Sequence, residues 1–288
     1  MILLGEPACA DAVALRYMTA ERFDAQAPRF DDRTGIPEDA ARAVAQAVLD
    51  LIAPGCDDVL VELGAGTGEI GRHLARSVNY LGLDRSGGML DAFRAKIAAA
   101  PAGGARLARA DANRGWPVED GSAKAVFASR VVHLLDSDHV RSELQRVCAP
   151  GGYFLVGHVS RDEVSVKHLL RERREALLRE RGLIPRSRRA GTRRLLDRLV
   201  ALGGSYIESR SVVTWSAQAS AKQVVDAWGD LQSMGGTELE PRARAGILAE
   251  LMEWAGRELG DPDTVRVWRE RYILGGVRLR EGPSTAHC

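Results

Sequence analysis

Residues 59–74 constrain the fold of this chain more than any other stretch. A run of β-forming residues leads into a turn with three glycines at alternate positions, Gly64, Gly66 and Gly68. Apolar residues at helical spacing follow the turn, so the stretch predicts a strand, a tight loop and the start of a helix. One glycine in such a turn often serves packing alone. Three favour a ligand that lies against bare backbone beside the amide groups of a helix start.

Strand and helix patterns alternate on both sides of this loop. A helix is predicted from Pro37, and further strands are predicted at residues 80–83, 105–110, 125–129 and 153–159. This alternation predicts a parallel sheet covered by helices on both faces. Ligands of such sheets bind beyond the carboxyl ends of the strands. The polar groups predicted at those ends are the glycine loop, Asp84, Asp111, and Ser129 with Arg130.

Residues 66–71 satisfy the pattern GxGxxG, and Asp84 lies roughly where a dinucleotide-binding fold places its ribose acid. That motif alone indicates a nicotinamide-dependent dehydrogenase. Three other features argue against it: Glu62 inside the first strand, Asp111 after the third, and a strand-like segment after the last helices. Acids close to the loop would repel a pyrophosphate, so they disfavour a dinucleotide.

Residues 59–74 resemble motif I of the class I S-adenosylmethionine-dependent methyltransferases. Residues 82–90 resemble the second-strand signature of that family, and residues 110–112 the segment whose acid meets the adenine amino group. Residues 119–126 resemble the turn into strand four, although Lys124 stands where an aspartate is usual. Residues 144–152 resemble the helix and turn before strand five. The resemblance covers about residues 30–160.

The resemblance implies an α/β fold: a Rossmann-like, seven-stranded, mostly parallel sheet with helices on both faces and an antiparallel last strand. We expect an N-terminal lid segment (residues 1–36) and a cofactor-binding core (residues 37–160). The C-terminal part of the same domain (residues 161–280) is expected to carry helical insertions, followed by a disordered tail (residues 281–288).

The resemblance further implies S-adenosylmethionine as cofactor and S-adenosylhomocysteine as product. Acids suit this ligand because its sulfonium is a cation attached to a nucleoside. Asp84 is expected at the ribose, Met89 against the adenine, Asp111 at the adenine amino group, and Glu62 in support of the loop and the methionine end. The full predicted cofactor set is Glu62, Gly64, Ala65, Gly66, Gly68, Asp84, Arg85, Met89, Asp111, Ala112, Ser129 and Arg130.

The expected activity is methyl transfer to an O, N or C nucleophile of a small-molecule acceptor, with a secondary metabolite as the expected class. His133, just after strand four, and His158, at the end of strand five, are the candidate general bases. Either histidine could equally be structural. The predicted acceptor-binding residues are Tyr17, Phe23, Arg29, Phe30 and His133.

Two alternatives stay open at this point. The first is a protein that binds S-adenosylmethionine for non-methylating chemistry such as cyclisation. The second is RNA methylation through residues 161–198, since residues 161–200 hold 13 arginines or lysines against six acids. That segment has no interleaved aromatic residues for base stacking, so a solvated helix face is the favoured interpretation.

Composition adds weaker expectations. The net charge of +1 gives no overall field toward nucleic acid or membrane. The four cysteines are scattered, which favours a reducing cytoplasm over a disulfide framework or a metal site. No signal peptide or membrane span is predicted. The near-exclusive use of arginine over lysine indicates a GC-rich, bacterial source. We expect a monomer or homodimer.

Overall fold

The computed structural model describes residues 23–24, 27–31, 35–99, 105–183, 188–229, 233–234 and 237–281. Tyr17 and residues 282–288 of the predicted tail lie outside these ranges. Within them the helices are α1 Glu38–Ile52, α2 Gly71–Leu74, α3 Gly87–Ala99, α4 Ser137–Val147, α5 Val166–Glu180, α6 Arg188–Ala201, α7 Ala221–Gly229 and α8 Pro241–Glu258. Short 3₁₀ turns cover Ala27–Arg29 and Val132–Leu134.

The strands are β1 Val59–Leu63, β2 Asn79–Asp84, β3 Ala105–Arg109, β4 Ala123–Ser129, β5 Cys148–Arg161, β6 Ser205–Ala219, β7 Ser233–Met234, β8 Thr237–Glu238 and β9 Arg266–Arg278. Seven of them form one sheet in the order β3-β2-β1-β4-β5-β9-β6, and β7 and β8 pair separately. Strands β1 to β5 are parallel, whereas β9 runs antiparallel to both neighbours. The predicted Rossmann-like sheet with an antiparallel last strand is confirmed.

The ends of α1 show why these residues form these elements. Pro37 precedes the first turn, where Glu38 and Asp39 face the positive end of the helix dipole. The helix stops at Ala53, which adopts a left-handed conformation with φ 40° just before Pro54. Buried apolar side chains at helical spacing, among them Val44, Val48 and Ile52, attach it to the sheet.

The helix after the glycine loop is short, and strand β5 is longer than predicted. The helix ends at Leu74, because its last turn tightens into hydrogen bonds of the i→i−3 kind, such as Ser77 N to Leu74 O. Strand β5 runs from Cys148 to Arg161 and not from 153 to 159, because its outer half continues to pair with β9.

Both faces of the sheet are covered. One face buries Leu63, Val126 and Phe154 against α4 and α6. The other face buries Leu60, Phe127 and Leu274 against α1. A third apolar cluster joins α5, α7 and α8 through residues such as Leu170, Val224 and Leu251. Because helices cover both faces of the sheet, the carboxyl ends of its parallel strands are the place left for ligand-binding groups.

Strands β5, β9 and β6 extend past the rest of the sheet. The last β4–β5 pair is Ser129 with Gly157, whereas the β5–β9 ladder continues to Arg161 opposite Glu270. The β6–β9 ladder reaches Ala219 opposite Arg266. We call this extension the outer ribbon (residues 158–161, 213–219 and 266–273). It projects beyond the carboxyl end of β4, the neighbour of β5 in the sheet. The segment boundaries given at residues 36, 160 and 280 stay predictions.

Candidate cofactor and acceptor site

The glycine loop needs its glycines for two separate reasons. Gly64 has φ +65°, and a Cβ there would lie 2.7 Å from the Val131 side chain. Gly68 has φ +78°, and a Cβ there would lie 2.2 Å from the buried ring of Phe93. Both positions are left-handed, which disfavours any other residue. The loop therefore keeps its backbone close to α3 at one end and to the segment after β4 at the other.

Asp84 connects the loop to strand β2. Its Oδ2 accepts a hydrogen bond from the Gly66 amide at 2.8 Å, and its Oδ1 accepts one from the Ser86 amide at 2.9 Å. Burial raises the pKa of this carboxyl, and the two amide bonds partly oppose the rise. Each oxygen keeps a lone pair for a further donor, so the carboxyl can accept hydroxyl groups while it stays fixed.

Glu62 is 3% exposed in the middle of the rim. Tyr80 donates its hydroxyl to Glu62 Oε2 at 2.5 Å. Burial raises the pKa of Glu62 to about 8, although the Tyr80 hydrogen bond and the charge of Arg130 act in the opposite direction. A buried carboxyl that holds its proton at neutral pH would ionise more readily beside a bound cation.

A single cavity opens at the carboxyl ends of β1, β2 and β4. Eleven of the twelve predicted cofactor residues line it: Glu62, Gly64, Ala65, Gly66, Asp84, Arg85, Met89, Asp111, Ala112, Ser129 and Arg130. Gly68, the twelfth, is not among its described lining residues and instead packs beneath the loop on Phe93. Lys124, which stands where an aspartate is usual in the resembled motif, lies far from this rim at the start of β4. Its ammonium group is 3.7 Å from the Asp58 carboxylate.

The loop after β3 is tied to the segment after β4 through Asn113. The Asn113 amide donates to Asp111 Oδ1 at 3.0 Å, and its side chain donates to the Leu134 carbonyl at 3.2 Å. The Asp136 amide donates to Asn113 Oδ1 at 2.6 Å. These hydrogen bonds hold the loop after β3 against the segment after β4. Sequence reasoning missed Asn113, although its place two residues after Asp111 was a usable signal.

Glu69 and Arg130 close the side of the cavity. Glu69 is buried and accepts the Ile36 amide at 2.9 Å, and it forms an ion pair with Arg130. Arg130 has a positive φ of 60° and donates its amide to the Gly157 carbonyl at 2.9 Å. The other lining residues that sequence reasoning missed are Thr67, Ile70, Leu83, Ala110, Val131, Leu134 and Leu135.

The N-terminal segment reaches the cavity through two carboxylates. Asp24 accepts the Ser86 hydroxyl at 2.5 Å and the Gly88 amide at 2.9 Å, so it docks on the first turn of α3. Asp31 hydrogen-bonds Thr67 of the glycine loop and pairs with Lys96. Phe23 and Phe30 line the cavity. The predicted lid aromatics are thus brought to the cofactor residues.

The two candidate histidines are not brought to the described part of the cavity wall. His133 lies in the 3₁₀ turn after β4, half-buried, and His158 is exposed on β5 opposite Ile273. Neither is among the described residues that line the cavity. The backbone of Arg29 lies in the first 3₁₀ turn, and Tyr17 falls outside the described residues. The roles of all four stay predictions.

Tyr272 lies behind the cavity wall, in contact with Ser129, and sequence reasoning did not single it out. Its ring is fully buried, and its hydroxyl lies 2.6 Å from the Ser129 hydroxyl. A Cβ at Gly157 would lie only 2.0 Å from that hydroxyl, so the glycine makes room for it. Burial raises the pKa of Tyr272 above its usual range. The residue lies 143 positions from Ser129, too far for a local sequence signal.

The rim fits S-adenosylmethionine. Buried acids and bare backbone at Glu62, Asp84 and the glycine loop match a nucleoside that carries a positive charge. In the described residues no group of three or more His, Cys, Asp or Glu side chains could hold a metal ion. A membrane-spanning helix is likewise absent from the described part of the chain.

Comparisons with known proteins agree with this geometry. Residues 60–152 match the sequence model of a methyltransferase domain family. A search of curated proteins finds no match. The crystal structure of YcgJ from Bacillus subtilis is similar at a TM-score of 0.52 and 16% identity, over 83% of this chain and 98% of that one.

Two further solved structures are similar. A candidate methyltransferase from Bacillus halodurans has a TM-score of 0.55 and 15% identity, over 82% of this chain and 98% of that one. The [4+2]-cyclase SpnF has a TM-score of 0.57 and 17% identity, over 92% of this chain and 98% of that one.

The sheet order and the acid-lined rim together define an α/β protein of the Rossmann-like, nucleoside-binding class. Within that class, residues 60–152 match a methyltransferase domain family, and the sheet has the Rossmann-like fold of methyltransferases. The cofactor that this fold and this rim fit is S-adenosylmethionine.

Proposed function

We propose that this chain transfers the methyl group of S-adenosylmethionine to an O, N or C nucleophile of a small-molecule acceptor. One observation carries the proposal. The cavity that holds the cofactor residues continues into an apolar wall made by Phe23, Phe30, Val131, Leu134 and Leu135. An apolar enclosure that adjoins the cofactor residues suits a small, partly apolar acceptor.

The side chains divide the work along the cavity. Asp84 would accept the ribose hydroxyls, and Asp111 the adenine amino group. Glu62, with the Glu69–Arg130 pair beside it, faces the charged methionine end. The bound cofactor supplies a methyl group on a sulfonium, which a nucleophile displaces directly. In such a displacement the protein contributes mainly by alignment and by exclusion of water, so the fixed hydrogen bonds of Asp84 and Asn113 matter more than a strong base.

The docked N-terminal segment supports a small acceptor. Asp24 and Asp31 fasten residues 23–31 to both the start of α3 and the glycine loop. With Phe23 and Phe30 on its inner side, this segment covers part of the cavity. A polymer would have to enter past that cover, whereas a small molecule needs only a narrow opening.

The RNA alternative is weakened by the ion pairs of the basic segment. Most of its described arginines have acidic partners: Arg171–Glu175, Arg173–Glu180, Arg179–Glu175, Arg181–Glu250, Arg193–Asp197 and Arg198–Asp138. Neutralised arginines release few counterions on binding, so they contribute little affinity for a phosphate backbone. A solvated, ion-paired helix surface remains the favoured interpretation of these residues.

A second candidate function is non-methylating chemistry, such as cyclisation, in which the bound cofactor only assists. One observation favours it: no histidine is among the described residues that line the cavity, so neither histidine base expected from the sequence is found in that part of the wall. The similar structure of a [4+2]-cyclase adds only that this fold is compatible with such an activity.

Label transfer separates the two. The chain is incubated with methyl-labelled S-adenosylmethionine and a panel of small apolar acceptors bearing hydroxyl, amine or activated carbon groups. We expect the label to appear on one acceptor class, with formation of S-adenosylhomocysteine. Calorimetry with S-adenosylmethionine and NAD(H) is run in parallel. Binding of the first ligand without label transfer to any acceptor would favour the non-methylating function, and binding of NAD(H) alone would refute both.

A further inference from the structure

The outer ribbon carries charged groups on the same face as the cavity wall. Alternate residues of β9, namely Trp268, Glu270 and Tyr272, are all buried, so they point to one face. In the antiparallel ladder Val159 lies opposite Tyr272, and Arg161 lies opposite Glu270. Directly opposed residues share a face, so Arg161 stands on the Tyr272 side, two residues further out.

Glu270 holds Arg161 by its inner nitrogen. Arg161 Nε donates to Glu270 Oε1 at 2.6 Å, and Trp268 Nε1 donates to the same oxygen at 3.1 Å. The side chain of Glu270 is only 6% exposed, so the guanidinium is anchored on a rigid base. Neither terminal nitrogen of Arg161 donates a hydrogen bond to a residue that the structure describes. A guanidinium fixed in this way presents its fork of donors to a carboxylate or a phosphate.

Lys167 supplies a second cation, within electrostatic reach of the Arg161–Glu270 pair. It is the second residue of α5, half-buried, and no described carboxylate lies within 4 Å of its ammonium group. Burial lowers the pKa of Lys167, and the neighbouring charge of Arg161 lowers it further, while Glu270 acts in the opposite direction. The other arginines of α5 at positions 171, 173 and 179 have glutamate partners. The local balance is two cations against one carboxylate.

A half-buried ammonium without a partner is costly in a free protein, and a bound anion would relieve that cost. Asp162, the acid that directly follows β5, pairs with Arg271 instead. Nothing within the described residues therefore supplies the missing negative charge.

We propose that Arg161 and Lys167 form an anion subsite that binds a carboxylate or phosphate group of the methyl acceptor. The inference rests on the proposed function, since it assigns a substrate class to the same site. Arg161 lies four residues past Gly157, the partner of Ser129 at the cavity wall, which is roughly 13 Å along an extended strand. The acceptor is then an amphiphilic molecule with its reacting atom at the apolar wall and its anionic group at the ribbon.

The composition offers a direct probe of this subsite. The chain has only four lysines, at positions 96, 124, 167 and 222. With ¹³C-labelled lysine, NMR resolves one ε-methylene signal for each. The protein is titrated separately with inorganic phosphate and with benzoate at constant ionic strength. We expect the Lys167 signal alone to shift saturably, and the pKa of Lys167 to rise, with at least one anion. The preferred anion tells phosphate from carboxylate recognition.

Variants locate the effect. Arg161→Gln combined with Glu270→Gln removes both members of the buried pair, so it leaves no uncompensated buried charge, and we expect at least a tenfold weaker response of Lys167. Arg271→Gln, on the opposite face of β9, is the matched control and should leave the titration unchanged. If Lys167 responds no more than the exposed Lys222 to either anion, or equally in the double variant, the subsite does not exist.

Calorimetry of S-adenosylmethionine on the same samples separates the two levels of inference. Cofactor binding without an anion response at Lys167 overturns the subsite and leaves the methyltransferase proposal in place. If the unmodified chain does not bind S-adenosylmethionine, the methyltransferase proposal is overturned instead. Acceptor turnover provides the last check: an acid should be methylated with at least tenfold higher kcat/KM than its neutral amide, and equal values would contradict the subsite.

Discussion

The glycine loop and the outer ribbon differ in how their polar groups are satisfied. At the loop, both oxygens of Asp84 accept backbone amides, and Glu62 accepts the Tyr80 hydroxyl. Most contacts there use backbone or short side chains from neighbouring strands. On the ribbon the terminal nitrogens of Arg161, and at the start of α5 the ammonium of Lys167, lack such contacts with described residues.

This difference indicates a division between a preorganised half and a half that a ligand completes. A cofactor that is the same in every turnover suits a rigid backbone cradle. Long side chains on an extended ribbon can change without disturbance of the sheet, so they suit the recognition of one particular acceptor. Changes at the loop should therefore affect folding or cofactor binding, whereas changes on the ribbon should affect the acceptor.

The largest effect is expected for Gly68→Ala, which should disrupt the preorganised loop. The added Cβ would lie 2.2 Å from the Phe93 ring at a φ of +78°. The left-handed backbone and the forced repacking together should lower the free energy of unfolding by about 4 kcal/mol. Denaturant unfolding measures this loss. Gly191→Ala in α6 is the control, because no described atom lies within 4 Å of its added Cβ, and we expect it to be neutral or slightly stabilising. Equal effects would contradict a preorganised loop.

A smaller effect is expected for Asp84→Asn. The amide keeps one acceptor oxygen, but its NH₂ group then faces the amide of Gly66 or Ser86. The charge at the predicted ribose position is lost as well. Affinity for S-adenosylhomocysteine should fall by about 3 kcal/mol, or more than 100-fold, as measured by calorimetry. Asp58→Asn, at the opposite end of the sheet beside Lys124, should bind the product normally. Tight binding by Asp84→Asn would remove this carboxyl from the cofactor site.

Sequence reasoning reached the preorganised half because its signals are local. The glycine spacing, Glu62 and Asp84 lie within 23 consecutive residues, and the alternation of strand and helix brings Asp111 and Ser129 to the same edge. Of the twelve predicted cofactor residues, Gly68 alone is not among the described residues that line the cavity, and it contacts Phe93 instead. That contact depends on how α3 packs, which periodicity does not report.

The other half could not be predicted in the same way. Arg161 meets Glu270 across 109 residues, and Asp24 meets Ser86 across 62, so no local pattern joins them. The segment around Asp24 has no clear helix or strand periodicity. His133 and His158 are predicted as general bases because histidine exchanges protons near neutral pH. Their position near a strand end does not determine which way their side chains point.

Glu62, at the rim of the cofactor half, should make the stability of the folded chain depend on pH. Its pKa is raised to about 8 in the folded chain, against an ordinary value of 4.5. Between these values the folded state keeps a proton that the unfolded chain releases, so this group makes stability fall as pH rises through that window. Glu62→Gln cannot titrate, so its free energy of unfolding relative to that of the parent chain should rise by about 2 kcal/mol from pH 6 to pH 8. Unfolding curves at several pH values measure it. A pH-independent difference would mean that Glu62 is ionised in the folded state.

The smallest expected effect lies where the two halves meet, at Tyr272. Tyr272→Phe removes the 2.6 Å contact with the Ser129 hydroxyl and keeps the buried ring. Since Ser129 lines the cavity and can turn toward it, the cost to folding should be about 1 kcal/mol, with cofactor affinity changed less than threefold. Unfolding curves and calorimetry measure both values. If acceptor KM rises while cofactor affinity stays constant, Tyr272 belongs with the ribbon. A large loss of cofactor affinity would instead place it with the glycine loop, and the boundary between the halves would move outward along β9.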